Sequence, residues 1–136
     1  MFVVDASVVL AWVFDDESSP SADRILDRLG EEAGVAPAHW PLEVANALRT
    51  AERRGRLSGV DIPRLQALVA RLPVEIVPVE LSTAVYSVLE LARAHDLSAY
   101  DAAYLGLAAW RQVPLATVDA RLRAVSVGAG VTVLDE

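Results

Sequence analysis

The chain has 136 residues, 54% of them apolar, with a net charge of −7, no cysteine and no lysine. That length closes a two- or three-layer core without disulfides or a structural metal, and the missing cysteine excludes disulfides, thiolate metal sites and a cysteine nucleophile. The missing lysine excludes P-loop enzymes, receiver domains and phosphatases of the haloacid dehalogenase type, each of which uses one.

The acidic balance argues against general coating of nucleic acid, because non-specific affinity comes mostly from phosphate neutralisation. Local basic strips remain, at Arg49, Arg53, Arg54 and Arg56 and at Arg121 and Arg123. An apolar share above the usual roughly 45–50% suggests surface buried against another chain, so a homodimer or a bound protein partner is expected. A cysteine-free chain suits a reducing cytoplasm, and a cytoplasmic location without membrane contact is the expectation.

In chain order, the first segment, MFVVDASVVLAWVF, is apolar but carries Asp5 and is too short to span a bilayer. It reads as a strand over Phe2 to Val4 and a helix over Ser7 to Phe14. The acidic run Asp15, Asp16, Glu17 followed by SSPS reads as a solvated loop opening a helix over Pro20 to Leu29. A strand at Val35 to Ala36 leads to a helix over Pro41 to Arg54, with Pro41 at the first helical position and Gly55 and Gly59 closing it. A helix over Asp61 to Arg71, a strand over Val74 to Val79 and a helix over Ser82 to Ala94 follow, the last with Ser82 as N-cap. Ser98 caps a helix over Ala99 to Arg111. The chain ends in a strand over Leu115 to Val118, a helix over Ala120 to Ser126 and a strand over Val131 to Leu134. Short β-branched runs alternating with helices predict a three-layer α/β/α sandwich around a mainly parallel sheet of about four to five strands, one domain spanning residues 1–136.

In such a sheet, strands end and helices begin on one edge, and ligands bind there. Asp5 closes the first strand, Asp119 closes the strand at Leu115 to Val118, and Glu43 lies in the first turn after the second strand. All three belong to that edge. Asp101 also opens a helix, but a helix precedes it, so its convergence is the least secure. Each acid has a competing role as a helix cap or dipole partner, and Ser98 with Asp101 resembles a capping box. Asp5 is the exception, because an unpaired charge between two apolar runs is costly. Carboxylates without thiols suit magnesium or manganese, and such a site supports hydrolysis of a phosphate ester.

His39 and Glu43 stand four apart, yet Pro41 between them favours a helix start over a metal pair, and with His95 the only other imidazole a zinc site is not expected. Trp12, Trp40 and Trp110 read as core or interface. Tyr100, beside Asp101, is retained as a substrate contact, and Arg49 and Arg121 as phosphate contacts weighed against an ordinary solvated face.

Four pieces in order, VVDASVVL, PLEVANALR, LSAYDAAYLGLA and VPLATVDARLRA, resemble the PIN domains, and within them the toxins of VapB–VapC toxin–antitoxin systems. The resemblance covers essentially the whole chain. It implies a metal-dependent endoribonuclease using Mg2+ or Mn2+, usually homodimeric, inhibited by a cognate antitoxin whose C-terminal segment enters the acidic site. Asp5, Glu43, Asp101 and Asp119 match the family's acidic quartet, Ser7 and Thr117 its supporting hydroxyls, and Asn46 a nearby polar position. Two alternatives stand beside it: a non-catalytic interaction module whose acids hold an antitoxin's arginine, and a DNA nuclease or phosphoesterase with the same metal site.

Overall fold

The computed structural model describes residues 1–14 and 20–134. The acidic stretch expected as a loop, Asp15 to Glu17, lies outside the described residues. Five strands, β1 (Phe2–Val4), β2 (Gly34–Pro37), β3 (Val74–Val77), β4 (Leu115–Ala116) and β5 (Val133–Leu134), form one sheet in the order β3-β2-β1-β4-β5. Every neighbouring pair is parallel. The helices are α1 (Ala6–Val13), α2 (Pro20–Leu29), α3 (Trp40–Arg53), α4 (Asp61–Ala70), α5 (Leu81–Thr83), α6 (Leu89–His95), α7 (Ala99–Arg111) and α8 (Ala120–Gly128).

The central strand β1 shows why both faces must be covered. Phe2 and Val4 join Val8, Ile25 and Leu29 in one cluster, while Val3, between them, packs with Val35, Tyr104, Leu105 and Leu115 in another. Alternate side chains leave opposite faces of a strand, so an all-apolar FVV run is stable only with helices on both sides. The three-layer sandwich expected from the sequence is what the chain builds. On β2, Gly34 is fixed by crowding: a Cβ there would stand 2.7 Å from Leu29 Cδ2 and 2.8 Å from Val4 Cγ2.

Several expected boundaries shift. β3 stops at Val77, before Pro78, and β4 at Ala116, after which the Val118 and Asp119 amides bond the Ser7 and Thr117 hydroxyls. β5 begins two residues late, at Val133. Ser82 is not an N-cap: Glu80 holds that position without a side-chain bond. The helix expected over Ser82 to Ala94 is a continuous run from Leu81 to His95 whose middle, Ala84–Val88, is π-helical. Gly55 follows α3 with φ +76°, the left-handed conformation that favours glycine, whereas Gly59 lies in the turn before α4 without it. Ser98 does cap α7, accepting from the Asp101 amide at 3.1 Å. No helix among the described residues is long and apolar enough to cross a membrane.

Candidate active site

The strand order reverses direction between β1 and β4, and the crevice beyond the carboxyl ends of those two strands is the topological switch point of an open parallel sheet. Asp5 leaves β1 there, and Thr117 and Asp119 leave β4. α3 brings Glu43 to the same edge in its first turn. α7 brings Asp101 in its first turn, since the chain must return from this edge to the opposite one before β4 begins.

Asp5 is 5% exposed, and Thr117 beside it is fully buried. Although Asp5 occupies the N-cap position of α1, its carboxylate makes no cap bond. Instead Oδ2 accepts from Ser7 Oγ at 2.7 Å and from Thr117 Oγ1 at 2.8 Å. Each hydroxyl has one proton, and both are spent on Asp5. The hydroxyl oxygens in turn accept from backbone amides, Ser7 Oγ from Val118 at 3.2 Å and Thr117 Oγ1 from Asp119 at 3.0 Å. The 3.3 Å approach of the two hydroxyl oxygens is therefore a contact without a shared proton. Oδ1 has no hydrogen bond among the described residues.

Burial pushes the Asp5 carboxyl above its ordinary 3.8; the two hydroxyls oppose this, and the charges of Glu43 and Asp101 add to it. Asp101, half-buried, is raised likewise by desolvation and then by Asp119 and Glu43, with Arg121 and His39 pulling it down. Charge thus links the acids pairwise, Asp5 with Glu43 and Asp101, and Asp101 with Asp119 and Glu43. Asp119 is also a working helix cap, its Oδ1 accepting from the Leu122 amide at 2.8 Å, which leaves Oδ2 for other use.

Two residues near Glu43 were not assigned from sequence. Tyr104, fully buried, donates its hydroxyl proton to Glu43 Oε1 at 3.3 Å, and burial followed by the charges of Glu43 and Asp5 holds the phenol protonated, far above its ordinary 10.0. Its signal was present: it lies one turn after Asp101, on the same face of α7. His39 is the N-cap residue of α3, and its Nε2 approaches Glu43 Oε1 to 2.7 Å without hydrogen-bond geometry. The helix starts at Trp40, one residue before the expected Pro41, which takes its second position; His39 sits just outside it in near-helical backbone, φ −83° and ψ −11°, and so reaches Glu43 one turn on.

The remaining candidates are exposed. Asn46 is exposed on α3. Arg49 is exposed and paired with Glu52 at 2.8 Å. Arg121 bonds the Asp96 backbone carbonyl and stands 3.3 Å from its carboxylate, close enough to act on Asp101. Tyr100 is 63% exposed.

The donor set fits a hard divalent cation: carboxylate oxygens only, one of them on a buried acid whose own charge is disfavoured by its neighbours. The spacing is open. Among the described residues no three His, Asp or Glu side chains stand close enough to hold one ion together, so bridging waters or rotation of the helix-borne acids is needed to close a shell, as magnesium commonly uses.

A family model for the PIN domain matches residues 2–128. Ribonuclease VapC12 of Mycobacterium tuberculosis is 32% identical over 122 residues, 90% of this chain and 89% of that protein. Among solved structures, the fold is similar to Mycobacterium tuberculosis VapC20, a Sarcin-Ricin loop cleaving toxin, with TM-score 0.69 and 16% identity across 100% of both chains. It is likewise similar to FitAcB from Neisseria gonorrhoeae, with TM-score 0.66 and 16% identity over 98% of this chain and 96% of that one.

Proposed function

Because this chain belongs to the PIN domain family, in its VapC branch, we propose that it is a metal-dependent endoribonuclease, the toxin of a toxin–antitoxin pair, acting as a single domain over residues 1–136. The observation that carries this reading is the buried Asp5 carboxylate at the switch point, held on one oxygen by two hydroxyls and faced by Glu43 and Asp101.

Asp5, Glu43, Asp101 and Asp119 would hold Mg2+ or Mn2+ through the oxygens that their structural bonds leave free. The cation supplies activation of a water molecule and neutralisation of charge developing on the phosphate and the leaving oxygen. Ser7 and Thr117 fix the Asp5 plane, and Tyr104 holds Glu43 from the core side. With a net charge of −7, substrate affinity rests on local arginines such as Arg121, which stands beside the site, and Arg49 further along α3. An antitoxin arginine suits the same carboxylates, since a guanidinium bonds them in bidentate fashion. Leu81, Val85, Tyr86 and Leu89 lie exposed along the run from α5 to α6 and supply an apolar face for a second copy of the chain.

The test is cleavage of end-labelled single-stranded RNA and sequence-matched DNA in Mg2+, Mn2+ or chelator. RNA should be cut only with metal, and Asp5→Asn, Glu43→Gln and Asp101→Asn should each lower the rate by about 10²- to 10³-fold, the scale on which loss of one stabilising group is felt. Cleavage of DNA alone would reassign the substrate. No cleavage of either, with intact binding of an arginine-bearing peptide, would make the chain a non-catalytic module.

A further inference from the structure

Three aromatic rings lead from the core to solvent beside Glu43. Tyr104 is fully buried; the His39 imidazole meets it edge-on, with centroids 5.0 Å apart at 70°; and Tyr100 also lies against the imidazole, 5.2 Å away at 54°. Tyr100 and Tyr104 are one turn apart on α7, so the imidazole is wedged against a pair of rings on one helical face. His39 is in addition within 2.7 Å of Glu43. The outermost ring is thus braced from below and stands one imidazole away from a carboxylate of the site, yet 63% of Tyr100 faces water.

An aromatic side chain with only two rotatable bonds, already braced on one side, loses little freedom when something flat lies on its outer face. Nucleobases present such a face, and stacking tolerates every base because each has a π-system. The partner must also approach a carboxylate cluster, which repels anions unless a cation intervenes. A nucleotide fits both demands: its base on the ring, its phosphate toward the cation-binding edge.

We infer that Tyr100, braced by His39, is the stacking platform for an unpaired nucleobase flanking the scissile phosphate. This rests on the ribonuclease reading above and deepens it by naming a determinant of substrate: the nucleotide must be unstacked from its neighbours, so single-stranded or looped RNA is taken in preference to a duplex. Tyr100 touches the base and not the reacting atoms, so its contribution falls on binding.

The experiment uses the full chain and a single-stranded RNA oligonucleotide that the parent cuts at one mapped position, together with the same RNA carrying an abasic nucleotide on either side of it. Tyr100→Ala should raise KM about tenfold, the scale of one lost base–aromatic stack, with a much smaller change in kcat. Tyr100→Trp, which keeps a π-face, should recover affinity relative to Ala, and Tyr100→Leu, which keeps apolar bulk only, should not. One of the two abasic RNAs should reproduce the KM defect in the parent and add nothing to it in Tyr100→Ala, as expected of two halves of one contact. Parental KM for Tyr100→Ala, or rescue by Leu, overturns the platform while leaving the ribonuclease reading standing, and rescue by Leu would reduce the role of Tyr100 to apolar bulk. Absence of any metal-dependent cleavage by the parent overturns both.

Discussion

Replacing Asp5 by Asn separates a charged cluster from four unrelated helix caps. The amide oxygen can accept from Ser7 and Thr117 as Oδ2 does, so both short hydrogen bonds survive while the buried anion disappears. What is lost is the desolvation of a carboxylate and its repulsion by Glu43 and Asp101. In chelator at neutral pH the variant should therefore melt above the parent. Each unit by which the folded carboxyl stands above 3.8 is worth about 1.4 kcal/mol, and each kcal/mol moves the midpoint of a domain this size by roughly 3–5 °C. The pH dependence has a definite sign. From pH 3.8 up to the raised folded value, the unfolded chain has released a proton that the folded chain still holds, so parental stability falls as pH climbs through that window. The advantage of Asp5→Asn should vanish below the window and open across it. Saturating Mn2+ reverses the order: an ion binding only the folded state adds about 2.7 kcal/mol at one hundred times its dissociation constant, and the variant forgoes much of that. Thermal melts of both proteins, with and without metal, across pH 3 to 8 read all three effects. A variant that melts below the parent in chelator and gains as much from Mn2+ would refute the reasoning.

Asp119 serves two roles through two oxygens, so Asp119→Asn, which still caps α8, should keep the melting temperature while losing cleavage, whereas Asp119→Ala should lose cleavage and about 1 kcal/mol besides; equal melting of the two variants would mean that the cap contributes nothing. For the proposed dimer, Tyr86→Glu with Leu81→Asp should convert a dimer to a monomer in sedimentation at micromolar concentration without lowering helical content, and a parent already monomeric would remove the second copy from the reading.

The sequence carried the sheet, the layers and the shared edge because those follow from periodicity and local signals: FVV buried on both faces, Pro41 in the first turn of α3, Ser98 capping α7. The edge rule does not reach Asp101, because no strand precedes it, but the topology puts the start of its helix at that edge. β4 is parallel to β1 and starts at the far edge, so the helix feeding it must run backwards and begin at the near edge. Arg111, at the other end of α7, accordingly lies by Met1, its Nη1 3.8 Å from the sulfur. Other features depend on side-chain placement that no periodicity encodes. The π-helical turn at Ala84–Val88 has no marker in its residues, and the approach of His39 to Glu43 depends on backbone angles outside the helix. Arg121 reads as a phosphate ligand from its position in the chain, but the left-handed Asp96 after α6 presents both a carbonyl and a carboxylate to it first.

The hydroxyls of Ser7 and Thr117 give the site an asymmetry that the four acids alone lack. Backbone amides of Val118 and Asp119 orient the two hydroxyl oxygens, and the hydroxyl protons orient Asp5, so a chain of dipoles runs from the end of β4 into one carboxylate oxygen. Each link polarises the next, which makes the array stiffer than its separate bonds. Glu43, Asp101 and Asp119 stand instead in helix first turns or caps and are more exposed, Glu43 and Asp119 each with one oxygen already bonded. A cation bound there would meet one fixed, buried anion and three more exposed ones. That division would suit the proposed phosphodiester hydrolysis: the fixed carboxylate would set where the charge sits relative to the sheet, and the more exposed acids would complete the hold on the ion.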